Sequence, residues 1–183
     1  LCEEKGSSVR ENLRLMFVGR IDESLLSPYM SGPLAGIIEI IPHVTHRECL
    51  SYTLGADLLL LLIPDYPGKE IIVTGKVFEY LRSGNPILCL ETEGEAARIV
   101  RSTRSGFTIR PDNVRGLKQK VWSCFQRWQQ GEPLLEEPPL AEKVQQYERR
   151  RGVRRLDRIL QETIVSSLSG EECGCRRGGG GLI

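Results

Sequence analysis

This chain lacks an excess of charge of either sign, a long apolar run, a glycine-rich dinucleotide fingerprint and any internal repeat. Twenty-five Lys and Arg stand against 24 Asp and Glu, a net charge of +1, so nothing draws the chain as a whole toward nucleic acid or acidic partners. No apolar stretch approaches the ~20 residues that span a bilayer, and no signal-peptide pattern is present. No G-x-G-x-x-G occurs, so a dinucleotide-binding fingerprint has no support. Cysteines are present but are not spaced as metal ligands: Cys2, Cys49, Cys89, Cys124, Cys173 and Cys175 are scattered. Cys173-Gly174-Cys175 lacks the two further ligands of a zinc site, so no metal site is expected. Cys89 and Cys124 lie in apolar stretches and are expected as core thiols. Scattered, unpaired usage fits a reducing cytoplasm.

What is present is an ordinary globular composition, 40% hydrophobic and 27% charged over 183 residues, enough for one domain with a proper core. The chain opens on Leu1 rather than Met, and the expectation is a fragment whose preceding part is missing. Residues 1–12 are polar and read as a linker, 13–168 as the folded domain, and the glycine-rich stretch 169–183 as a disordered tail.

The most informative stretch runs from Thr74 to Leu90. Thr74 can cap a helix that begins with Gly75 and Lys76, with Val77, Phe78, Tyr80 and Leu81 as its apolar face. Gly84 and Pro86 stop it, and Ile87–Leu90 reads as a buried strand. Thr74, Gly75 and Lys76 would offer a phosphate free amides, a positive dipole end and an ammonium. Glu79, on the same helix face as Lys76, could accept hydrogen bonds from ribose hydroxyls. The plain alternative is a solvated Lys–Glu pair.

Elsewhere the pattern alternates. Leu13–Val18 reads as a first strand ending in Gly19-Arg20, a loop whose guanidinium suits diphosphate oxygens. Residues 22–30 read as a helix broken by Pro28 and Pro33. Ile37–Ile41 is a second strand, and Pro42-His43 leads into the capping box Thr45-x-x-Glu48. His43 sits on a strand-to-helix turn, where it is either plain surface or a contact to a base or ribose. Asp57–Ile63 is a leucine-rich buried strand, and Pro64–Val73 a loop at the same sheet edge. Thr92-x-x-Glu95 is a second capping box, 105–109 a fifth strand, and Val114–Trp128 an amphipathic helix. Residues 131–139 read as a proline-rich linker before a long C-terminal helix interrupted by Gly152. Five strands alternating with helices predict an α/β, Rossmann-like, doubly wound and mostly parallel sheet. Gly19, Arg20, His43, Lys76 and Glu79 fall after strands or at helix starts, where such sheets bind ligands.

The run GKVFEYLRSGNPIL resembles the signature helix in the C-terminal domain of family-four, GT-B-fold glycosyltransferases of bacteria. Leu15–Arg20, Ile41-Pro42-His43, Gly55–Leu60, Ser105-Gly106-Phe107 and Tyr147–Arg150 follow in that family's order, so the resemblance spans roughly 13–160. It implies one half of a GT-B fold, binding a nucleoside-diphosphate sugar beside a missing N-terminal acceptor domain. Retaining, metal-independent transfer without a cofactor is implied, to an unknown acceptor of the cell-surface polysaccharide or glycolipid kind. Arg20 and Lys76 would be the catalytic pair on the diphosphate, with Gly19, His43, Thr74, Gly75 and Glu79 binding the donor. The lysine that usually follows the arginine is absent. The first of the family's two glutamates would fall at Ile71, which leaves the sugar open.

Rival readings are a non-catalytic nucleotide-binding or scaffold domain of the same fold, a sugar-nucleotide epimerase, and a receiver-like domain. The epimerase needs further acid/base groups than His43, and the receiver an acidic cluster where Arg20 stands. The arginines between Arg149 and Arg158 form either a solvated face, balanced by Glu148, Asp157 and Glu162, or a peripheral contact with an anionic membrane at the inner, cytoplasmic face.

Overall fold

The structure, a computed structural model, describes residues 7–63 and 73–168. The loop from Pro64 to Ile72, the position of Ile71 and the C-terminal tail lie outside the described residues. The chain divides into two compact units, Leu1–Leu140 and Ala141–Ile183.

The first unit is α/β with parallel strands. Ser7–Asn12, inside the stretch read as a linker, is a short helix α1 whose Val9 is buried. Strand β1 (Leu15–Val18) pairs in parallel with β2 (Ile38–Ile41). Between them lie a single helical turn, α2 (Glu23–Leu26), and two 3-10 turns at Ser27–Tyr29 and Gly32–Leu34. Pro28 and Pro33 open those turns rather than break a longer helix, because proline lacks only the amide that a first-turn residue leaves unbonded. Then come α3 (His46–Gly55), β3 (Leu59–Leu62), α4 (Gly75–Ser83), β4 (Ile87–Leu90), α5 (Glu95–Thr103), β5 (Gly106–Thr108) and α6 (Val114–Gln129). Strands β3, β4 and β5 form a second parallel sheet in that order.

The expected single doubly wound sheet is thus two sheets among the described residues, a pair and a triplet. The outward edges of β1 and β3 explain which apolar side chains stay wet. Met16 is 43% and Leu62 53% exposed, since an edge strand is covered on fewer sides than a central one. Central β4 behaves oppositely. Ile87, Leu88 and Cys89 are all buried in succession, the mark of a parallel strand covered on both faces.

Helix α4 packs on β3 through Val77 and Leu81, one turn apart. Phe78, expected on that buried face, lies at its margin and is 36% exposed. Helix α5 covers β4 and β5 with Ala96, Ala97, Ile99 and Val100. Gly106 meets β4 so closely that a Cβ there would overlap the Ile87 carbonyl. On α6, Cys124 and Phe125 are buried while Val114, expected on the apolar face, is exposed. Phe125 stacks on Trp122 and Trp128, each at 5.8 Å between ring centroids. The proline-rich segment is no free linker. Leu140 donates its amide to the Thr103 carbonyl at 2.9 Å, Glu137 pairs with Arg104, and Arg127 Nε donates to the Pro133 carbonyl at 2.6 Å.

The second unit holds α7 (Ala141–Gln145) and the 20-residue α8 (Arg149–Leu168). The break falls at 146–148 and not at Gly152, which is inside α8. A glycine within a helix costs about 1 kcal/mol relative to alanine, too little to stop one alone.

Candidate functional site

Helices α3 and α4 are the scaffold. Thr45 and Glu48 form the expected capping box: the Thr45 amide donates to Glu48 Oε2 at 2.8 Å and the Glu48 amide to Thr45 Oγ1 at 3.3 Å. The Thr45 hydroxyl and amide together hold the Glu48 carboxyl below its usual range. At the other end, Asn85 Nδ2 donates to the carbonyls of Thr53 at 2.9 Å and Leu54 at 3.1 Å, closing the last turn of α3 from the loop after α4. Between these ends Tyr80 feels the neighbouring Cys49, and its phenol is pushed up first by burial, then by Cys49 and Glu79. Cys49 matched with Tyr80, and Thr53-Leu54 with Asn85, means that the two helices run the same way. Their starts, Thr45 and Thr74-Gly75-Lys76, therefore share one end of the pair.

The carboxyl edge of the β1–β2 sheet supplies the second group. Val18 lies beside Ile41, and the Gly19 amide donates to the Ile41 carbonyl at 3.0 Å. Gly19 has φ 122°, a backbone state that side chains oppose, so glycine is required at this turn. Gly19 and Arg20 thereby leave β1 beside Pro42 and His43 leaving β2. Arg20 and His43 are both exposed.

At the start of α4 the sequence expectation and the geometry part at one atom. Thr74 is the N-cap residue, with extended backbone, but its hydroxyl makes no capping bond. Instead Thr74 Oγ1 is buried with no hydrogen-bond partner among the described residues. A buried hydroxyl of this kind costs roughly 1–3 kcal/mol until something bonds to it. Lys76 is exposed, and Glu79, half-buried, lies one turn along. Gly84 closes α4 with φ 78°.

The second expected capping box does not form. Helix α5 starts at Glu95 with Gly94 as its cap, and Glu95 turns forward onto Arg98, with Nε at 2.6 Å, instead of back toward Thr92. The Thr92 carbonyl takes a 2.6 Å bond from Arg101 Nη1. Glu91 fills the space beside the cap: it is 4% exposed, and a Cβ on Gly94 would overlap its carboxylate. A carboxylate packed at a helix start is favoured by the dipole. The sequence pointed to Thr92 and Glu95 but gave no sign of Glu91, because its burial depends on packing between elements.

Two other features carry no chemistry. A cavity of about 750 Å³ opens at the opposite, amino edge, between Leu54, Asn85, Trp128 and Leu134, but its charged lining residues, Asp57, Glu132 and Glu136, would repel a diphosphate. Burial pushes the Cys89 thiol up to about 11, with the charge of Glu91 adding to it, which disfavours the thiolate near neutral pH. Among the described residues no group of acidic, His and Cys side chains could hold a metal ion, and no helix is long and apolar enough to cross a membrane.

No protein-family model matches this chain, and no curated protein sequence matches it.

Proposed function

We propose that this chain is the nucleotide-sugar-binding half of a GT-B-fold glycosyltransferase, completed by an N-terminal acceptor-binding domain. The observation that carries the reading is the start of α4. A buried hydroxyl without a described partner, the Gly75 and Lys76 amides of a first helical turn and the Lys76 ammonium meet at one end of a helix pair whose other start follows His43. That combination suits a phosphate with a hydroxyl-accepting oxygen.

In this reading Lys76 and Arg20 stabilise the departing nucleoside diphosphate as its charge develops, and Gly19, Thr74 and Gly75 contribute backbone and hydroxyl donors. Glu79 accepts from the ribose, and His43 borders the base or ribose. The diphosphate charge is met by cations of the chain, so the chemistry assigned to these residues routes no step through a metal. The isolated chain binds nucleotide weakly and transfers no sugar, because the wall that excludes water belongs to the other domain.

One observation favours a non-catalytic nucleotide-binding domain instead: neither Arg20 nor Lys76 is held by a described neighbour, whereas transition-state groups are normally fixed in advance. Calorimetric titration with UDP and GDP tests the shared core of both readings. Binding that weakens at least tenfold on Lys76→Ala and on Glu79→Ala is expected, and binding unchanged by both variants overturns the site. Sugar transfer by the chain joined to its N-terminal domain, lost on Arg20→Ala, separates the enzyme from the scaffold.

A further inference from the structure

Helix α8 has a sidedness that the nucleotide site does not use. At 100° per residue, Val153, Leu156, Ile159, Leu160 and Ile164 fall within an arc of about 140°. Arg150, Arg151, Arg154, Arg155 and Arg158 fill the opposite arc, which Val165 shares, and Arg149 lies at the amino end of the apolar arc. Every described side chain from Arg149 to Val165 is exposed, and even Ile159, the least exposed apolar one, is 48% accessible. Most helical stability in proteins comes from packing an amphipathic face, and no described residue covers this one, so the apolar stripe calls for a cover.

Charge selects the cover. Six arginines stand against Asp157 and Glu162 in α8, four net positive charges on one helix in a chain whose total is +1. The rest of the chain is therefore net negative by three charges. A second copy on the stripe would set two helices of four positive charges against each other. A lipid surface bearing anionic headgroups takes the stripe into its acyl boundary and the arginines into its headgroup layer.

We propose that α8 is an interfacial helix that lies in the surface of an anionic membrane, without crossing it. The full chain tests this by co-sedimentation with phosphatidylcholine vesicles, with and without phosphatidylglycerol, at low and high salt. The expected result is binding to the phosphatidylglycerol vesicles alone, weakened by salt. The triple variant Arg154→Gln, Arg155→Gln, Arg158→Gln should lose roughly a hundredfold in partition. Leu156→Glu with Leu160→Glu should abolish binding while the thermal unfolding of residues 7–140 stays unchanged.

Equal binding to neutral vesicles, no binding to either, or full binding by the Leu156→Glu, Leu160→Glu variant each overturns the proposal. Self-association in sedimentation velocity that disappears in that variant, without vesicle binding, assigns the stripe to a second copy and also overturns it. No arm uses a nucleotide, so failure here is separate from failure of the nucleotide site.

Discussion

The start of α4 at Thr74, Gly75 and Lys76 was legible because the signals for it lie close together in the chain. Thr74, Gly75, Lys76 and Glu79 needed only a start signal and a period of 3.6. The unbonded Thr74 hydroxyl was not legible, since an N-cap threonine normally bonds the third amide of its helix. Glu91 was hidden for the same reason. Thiols give a residue-scale prediction. Cys89 and Cys124 are buried and burial raises both thiols, so they should resist a thiol reagent in the native protein at pH 8. Peptide mapping after labelling should find them modified only once the chain is unfolded. Rapid native labelling of Cys89 would contradict the packing of β4.

At the scale of elements, two sequence patterns that look alike separate. Thr45-x-x-Glu48 closes as a capping box; Thr92-x-x-Glu95 does not, because Arg98 takes the glutamate and Glu91 fills the cap. Thr45→Ala should lower stability by about 1 kcal/mol near neutral pH. The folded-state value of Glu48 is depressed, so its contribution is complete above the ordinary carboxylate range and fades as pH falls through the lowered value. The melting-temperature gap between wild type and Thr45→Ala should therefore narrow below about pH 4, and a gap that widens there would contradict the box. Gly106→Ala forces a Cβ into the Ile87 carbonyl. It should cost on the order of 3 kcal/mol in chemical denaturation, and a neutral result would mean that β5 does not approach β4 as described. Strand identity was legible from apolar runs, but exposure was not: Leu62 and Met16 lie exposed on strands that end their sheets.

At the scale of the molecule, alternating strands and helices carried the α/β class and the parallel pairing, since each crossover leaves a local pattern. The division into a two-stranded and a three-stranded sheet did not show, because pairing between β1 and any later strand is a long-range matter. The break at 146–148 was masked by a glycine four residues on that α8 absorbs. What reaches this scale from the candidate site is one shared end of the α3–α4 pair, with the Gly19–Arg20 turn beside His43.

Amide chemical-shift mapping during titration of the chain with UDP or GDP tests that arrangement most directly. The account predicts shifts concentrated at Gly19, Arg20, His43 and the first turn of α4, Gly75 to Val77, and absent in Lys76→Ala. Shifts gathered instead around Asn85 and Trp128, at the amino edge, or no saturable shifts at all, would contradict it.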